Sequence, residues 1–173
     1  MELSTLKRNY IKEILILLGA TFLLIAVDQA TKCYVVRNIT ASDPVIIIEN
    51  FFEFTYVLNP GAAFGFLADN NSSFKQIFFI LVTCFATIFI LYMYFTLKDD
   101  ERIVKVALCL ILGGALGNFI DRLRIKSVID FIYVHYYEHY WPAFNIADAL
   151  ITIGVVLIGI DIFIKYKKEK GAA

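Results

Sequence analysis

Residues 103–122 read IVKVALCLILGGALGNFIDR, and they set the frame for the whole chain. After Lys105 no charge appears until Asp121, and the run has the ~20 residues that a helix needs to cross ~30 Å of hydrocarbon. Comparable runs lie at about 13–32, 75–97 and 145–165. The composition agrees, with 60% hydrophobic and 18% charged residues and a mean hydropathy of +0.71. Soluble domains carry roughly 45–50% apolar and 25% charged residues. The expectation is an all-α membrane protein with four transmembrane helices, its 173 residues forming one integral membrane domain (1–173).

Orientation follows from lysine and arginine, which resist translocation. Lys7, Arg8 and Lys12 precede the first span, Lys98, Arg102 and Lys105 sit around the short second connection, and Lys165, Lys167, Lys168 and Lys170 close the chain. These segments hold most of the 16 basic residues, so both termini are expected on the cytoplasmic side. The first run starts like a secretory signal but lacks a small-x-small cleavage pattern, and is expected to remain as a span. The formal net charge of zero gives no electrostatic footprint for nucleic acid. Cys33, Cys84 and Cys109 are an odd number without metal spacing, two of them in apolar runs, and read as small hydrophobes. Gly113 and Gly117 form a G-x-x-x-G surface for close helix contact, within the chain or between copies.

The longer connections, 32–74 and 121–144, then lie outside. VIIIENFFEFTYVLN (45–59) is rich in β-branched and aromatic residues with local alternation, which predicts a small extracytoplasmic β-sheet ended by Asn59-Pro60-Gly61. Asp69-Asn70-Asn71-Ser72-Ser73 is a polar break before the second span. In the second outer connection Tyr133, Tyr137, Tyr140 and Trp141 fall on one helical stripe and His135, Glu138 and His139 on another, predicting an interfacial amphipathic helix that ends before Pro142.

Two kinds of chemistry compete in 129–148, IDFIYVHYYEHYWPAFNIAD. His135-Tyr136-Tyr137-Glu138-His139 has H-x-x-E-H spacing, which on a helix places two imidazoles and a glutamate around a zinc-bound water. A catalytic zinc needs a third ligand, and downstream only Asp148, Asp161 and Glu169 could supply one, the last two toward the opposite membrane face. We therefore assign no metal and no cofactor. The alternative is carboxylate chemistry. Charged residues in or beside spans are costly and usually have a function; Asp28, Asp121, Arg122, Asp130 and Asp148 converge on one membrane face, joined by Asn59, Asn118 and Asn145. Two aspartates in close contact share one proton, so one can activate water while the other polarises a carbonyl. A rival reading, a small ion or proton transporter, would spread its acidic groups through the membrane depth instead.

Five blocks then fall into a familiar order: Asp28-Gln29-Ala30-Thr31-Lys32; Asn59-Pro60-Gly61-Ala62-Ala63-Phe64-Gly65; Gly113-Gly114-Ala115-Leu116-Gly117-Asn118 with Asp121-Arg122; Val128-Ile129-Asp130-Phe131; and Phe144-Asn145-Ile146-Ala147-Asp148. Together they resemble the bacterial lipoprotein signal peptidases (signal peptidase II). The resemblance implies an intramembrane aspartic endopeptidase of the bacterial cytoplasmic (inner) membrane, with its active site at the outer face. Its substrates would be diacylglyceryl-modified prolipoproteins, cut N-terminal to the lipidated cysteine, arriving through membrane lipid. It implies a catalytic pair, Asp130 and Asp148, supported by Asp28, Asn59, Gly61, Asn118, Asp121, Arg122 and Asn145, and inhibition by globomycin.

Overall fold

The computed structural model describes residues 2–61, 72–98 and 100–171. Four helices, α1 (Glu2–Asn38), α2 (Ser72–Thr96), α3 (Arg102–Ile125) and α4 (Ile146–Gly171), combine with four strands, β1 (Val45–Ile48), β2 (Phe52–Asn59), β3 (Val128–Tyr136) and β4 (His139–Tyr140). Each helix contains a segment long and apolar enough to cross a membrane, Tyr10–Asn38, Phe74–Thr96, Arg102–Ile125 and Ile146–Gly171. The chain is a multi-pass membrane protein. Half of the apolar window of α3 is buried, against 11–17% for the other three helices; α3 is therefore the hub, and the rest turn apolar faces outward. Phe22, Phe85 and Ile88 are largely exposed, as side chains solvated by lipid should be.

Leu17 from α1, Ile90 and Tyr94 from α2, and Val104, Leu108, Cys109 and Leu112 from α3 form the main apolar core. Cys109 is buried there, whereas Cys33 and Cys84 are exposed. Lipid tails are as apolar as leucine, so close packing and polar contacts must hold the helices together. The glycines of α3 supply the closeness within one chain. A Cβ on Gly113 would meet Leu24 of α1 at 2.7 Å, one on Gly117 would meet the Asp28 carboxylate at 2.6 Å, and one on Gly114 would run into the Ala147 carbonyl of α4. The G-x-x-x-G surface is thus consumed by α1 and α4.

The sheet is antiparallel in the order β1-β2-β3-β4. Asn50, with φ 57°, turns β1 into β2; asparagine tolerates this left-handed region better than most residues. The expected interfacial helix over 133–141 does not form. That segment is the end of β3 and the whole of β4, a hairpin in which His135 faces Tyr140 and Tyr136 faces His139, with Tyr137 at φ 50° in the two-residue turn. The physical reason is tertiary. Phe131–Tyr136 is aromatic and β-branched, and it has β2 to pair with, Phe52 opposite Val134 and Glu53 opposite Tyr133. Over so few residues a helical stripe and a strand face cannot be told apart by spacing. The tyrosines of the expected stripe still gather: the Tyr133 ring lies 6.3 Å from that of Tyr140.

Gly114→Ala drives a methyl group into backbone and is expected to lower stability by about 1–3 kcal/mol. Gly159, where an added Cβ would meet nothing within 4 Å, is the control. Thermal unfolding of both variants in one detergent should show a lowered midpoint for Gly114→Ala alone.

Candidate active site

At one end of the bundle the last turns of α1 and α3, the end of β2, the start of β3 and the N-terminus of α4 meet around a buried ammonium. Lys32 Nζ lies 2.9 Å from Asp28 Oδ2, 2.8 Å from Asp121 Oδ2 and 2.9 Å from Asn118 Oδ1. An ammonium has three N–H donors, and here each has an acceptor. Lys32 and Asp28 are one turn apart on α1, so the pair forms within one helix, while Asp121 and Asn118 tie it to α3.

Both carboxylates also reach further. Asp28 Oδ1 accepts a bond of 3.0 Å from the backbone N–H of Ala147; this places a negative charge on the positive N-terminal end of α4 and satisfies an otherwise unbonded helix donor. Asp121 Oδ2 accepts from the Ile129 N–H at 3.3 Å, and its Oδ1 from Gln29 Nε2 at 2.9 Å.

A second tier of amides rests on this cluster. Asn118 Oδ1 is held by Lys32, which turns its Nδ2 toward Asp148 Oδ1 at 2.7 Å. Asn145 precedes α4 and forms a reciprocal cap with Asp148: the Asp148 N–H donates to Asn145 Oδ1 at 3.0 Å and the Asn145 N–H to Asp148 Oδ2 at 3.1 Å. Asn145 Nδ2 donates to Asp130 Oδ1 at 2.7 Å. Asp130 Oδ2 accepts from Asn59 Nδ2 at 3.0 Å, and Asn59 is fixed in turn by the Gly61 N–H on its Oδ1 at 3.0 Å. The two aspartates are therefore joined through one residue, Asn145. Asp130 is almost fully buried, and that burial, reinforced by the neighbouring Asp148 carboxylate, pushes its carboxyl up to about 6 against the opposing pull of the Asn59 and Asn145 amides and Lys32.

Both aspartates face a cleft of about 1030 Å³. Its floor is polar, with Asn118, Arg122, Asp130 and Asp148; its sides are Val57–Gly61 on one flank, Tyr140–Phe144 on another, and the Ala149, Thr152 and Ile153 face of α4. The Arg122 guanidinium sits 4.3 Å over the Phe79 ring and donates to the Gly61 carbonyl at 3.4 Å. Two carboxyls bound to one asparagine, Asp130 by its side-chain amide and Asp148 by its backbone N–H, one holding its proton more tightly than usual, with open space above them, can activate water against a carbonyl without a metal or a covalent intermediate.

The chain matches the family model for signal peptidase (SPase) II over residues 20–164. It belongs to the signal peptidase II family. It is similar to the lipoprotein signal peptidase of Syntrophotalea carbinolica, with 43% identity over 143 residues, 83% of this chain and 88% of that one. The lipoprotein signal peptidase of Clostridium tetani is 39% identical over 159 residues, covering 91% and 93% of the two chains. Among solved structures, a bacterial membrane enzyme determined by the in meso method at 2.3 Å matches with a TM-score of 0.75 and 34% identity, over 88% of this chain and 90% of that one. This signal peptidase II is a protease.

All nine site residues expected from the sequence, Asp28, Asn59, Gly61, Asn118, Asp121, Arg122, Asp130, Asn145 and Asp148, fall in this one assembly. Ala62-Ala63-Phe64-Gly65 and Asp69-Asn70-Asn71 lie outside the described residues. Lys32 and Gln29 were not among the expected site residues. The signal for Lys32 was present, a lysine four residues after an aspartate inside a span, where an unpaired charge is intolerable. Gln29 gave no such signal; its role depends on α3 lying alongside, where its Nε2 bonds both Asp121 and the Gly117 carbonyl. The H-x-x-E-H spacing loses its geometric basis, since His135 and His139 occupy paired strands and not one helix face. Among the described residues no group of three or more His, Cys, Asp or Glu side chains could hold a metal ion.

Lys32→Met leaves two buried carboxylates without their cation and is expected to destabilise the fold by about 3–5 kcal/mol. Adding Asp28→Asn should recover part of that loss. The yield of monodisperse protein and the unfolding midpoint in detergent would test both steps.

Proposed function

We propose that this peptidase removes the signal peptide of prolipoproteins, cutting N-terminal to a diacylglyceryl-modified cysteine, with Asp130 and Asp148 as its catalytic pair. The observation that carries the reading is the joint attachment of both carboxylates to Asn145 at the floor of one cleft. In this mechanism Asp130, whose carboxyl titrates at about 6, holds the shared proton and donates it toward the scissile carbonyl oxygen. Asp148 takes a proton from water as the water oxygen attacks the carbonyl carbon. The tetrahedral intermediate then collapses, the C–N bond breaks, the proton held by Asp148 passes to the leaving amine, and the proton on the former carbonyl oxygen returns to Asp130. Asp28, Asn59, Gly61, Asn118, Asp121, Arg122 and Asn145 hold this arrangement. The whole chain acts as one membrane domain of the bacterial cytoplasmic membrane, with both termini cytoplasmic and the cleft at the outer face, where a lipid-anchored cysteine arrives sideways through membrane lipid. Globomycin, competing for the cleft, inhibits.

Asp130→Asn and Asp148→Asn are each expected to lower the turnover of a synthetic diacylglyceryl lipopeptide by at least about 10³-fold while the protein elutes and melts as the parent does. A variant that keeps near-normal turnover removes that residue from the pair. Globomycin added to the parent protein should abolish the same cleavage.

The pair needs its proton, so kcat/KM is expected to fall as pH rises above about 6, the value of Asp130. The Asn59 amide favours the charged form of Asp130. Asn59→Ala should therefore move the alkaline limb to higher pH, the activity of the variant falling less between pH 6 and 8 than that of the parent, relative to each protein's own maximum; a limb that stays put or moves down contradicts this.

A further inference from the structure

The far end of α4, opposite the cleft, has two chemically different sides. Ala147 and Gly154, both buried, lie against Gly114 and Ala107 of α3. With 3.6 residues per turn Lys165 falls on that same side, and its ammonium is consumed there, 2.7 Å from Oε1 of Glu101, the residue just before α3, and 2.9 Å from Asp161 Oδ2. By the same spacing Asp161 and Glu169 lie within ~40° of Lys165, whereas Phe163, Tyr166, Lys167 and Lys170 lie roughly 100–160° round the helix from it. This second side therefore faces away from α3. Phe163 and Tyr166 are more than half exposed, and each carries a lysine: Lys167 Nζ sits 5.5 Å from the Phe163 ring centre and Lys170 Nζ 5.0 Å from that of Tyr166. Among the described residues no carboxylate pairs with either lysine. The negative end of the helix dipole favours lysines in the last turn on any side; it does not account for rings and free ammoniums on one side and acids on the other.

We propose that this arc binds the headgroups of anionic phospholipids. Counted from Asp148 at 1.5 Å per residue, Phe163 lies about 22 Å along the helix and Lys170 about 33 Å, which is where ~30 Å of hydrocarbon gives way to headgroups. Side chains on a helix lean toward its N-terminus, and on α4 that direction is into the bilayer. The two ammoniums are thus drawn back over the rings to headgroup level, their stems covering apolar surface. Lys167 and Lys170 are three residues apart and so neighbours on the helix surface, close enough to share one phosphodiester, while the rings take the glycerol and upper acyl region, as aromatic residues at an interface do. A zwitterionic headgroup brings its own ammonium, which this arc repels; an anionic one does not. The binding is independent of the reaction at the cleft, and it holds the helix that carries Asp148 by its other end.

The test is a lipid titration of the whole protein in neutral detergent micelles. Dioleoyl phosphatidylglycerol is expected to raise the unfolding midpoint by several degrees more than the same mole fraction of dioleoyl phosphatidylcholine, as a ligand bound only by the folded state must. Lys167→Gln/Lys170→Gln should raise the mole fraction needed for half of that rise by at least about tenfold, since each lysine beside an anionic surface contributes roughly fivefold; Lys167→Arg/Lys170→Arg should keep it. Arg37→Gln/Lys126→Gln removes the same charge from exposed positions at the opposite end of the bundle and should leave the titration within about twofold. Equal midpoints in the two lipids overturn the proposal, and that comparison needs only the unaltered protein. An equal loss in both glutamine variants overturns it as well, because net charge would then suffice. Inorganic phosphate at matched ionic strength should not reproduce the rise; if it does, the lysines take a free anion and not a lipid, and the proposal fails.

Discussion

The site depends on one buried cation. Lys32 lies within the first membrane segment with almost no exposure, where an unpaired charge would be prohibitively costly. Its three acceptors come from α1 and α3, and the two carboxylates among them then capture α4 and β3 through the N–H groups of Ala147 and Ile129. One ammonium thereby fixes the relative positions of α1, α3, α4 and β3, four of the five elements that carry the site. In a bilayer, where apolar contact does not distinguish protein from lipid, such a cluster supplies the specificity that a hydrophobic core gives a soluble enzyme.

The glycines of α3 belong to the same device. Gly117 lets Asp28 approach the backbone of α3, and Gly114 lets the first turn of α4 do so. Without that closeness Asp28 could not reach both Lys32 and the Ala147 N–H, and Asn145 could not bridge the two aspartates. Packing and polar chemistry thus meet on one helix face, which is why α3 is the most buried of the four.

Much of this was legible in the chain because a membrane makes sequence unusually explicit. Apolar runs must be helices, since lipid offers backbone no other partner, and polar residues at their ends must be accounted for. Hence Asp28, Asn118, Asp121, Asp130, Asn145 and Asp148 could be gathered from position alone. Outside the membrane that explicitness ends. The 133–141 segment obeys ordinary rules, and its strand state was decided by β2, a partner that local spacing does not reveal. Gln29 was hidden for the same reason, its two acceptors lying on α3. Lys32 could have been read from its spacing to Asp28; what the sequence could not supply was the convergence of Asp121 and Asn118 on the same nitrogen.

Charge accounting explains why a shared proton is the natural state of the pair. The cations whose charge acts on the reacting pair include Lys32, buried, and Arg122, half-buried over Phe79. Lys32 is held by Asp28 and Asp121, both fully buried, and the charge of Arg122 acts most strongly on Asp148 and Asp130, so two cations serve four carboxyls. The direct hydrogen-bond partners of Asp130 and Asp148 are neutral amides, Asn59, Asn118 and Asn145, which can stabilise a single negative charge by hydrogen bonding but not a second one nearby in a medium of low dielectric. Were each of the two carboxyls given a cation of its own, both could ionise and neither would hold a proton for the carbonyl oxygen. The site is best understood as two layers: an ionic one around Lys32 that builds the fold, and above it an amide one that leaves the reacting pair one proton short of neutrality.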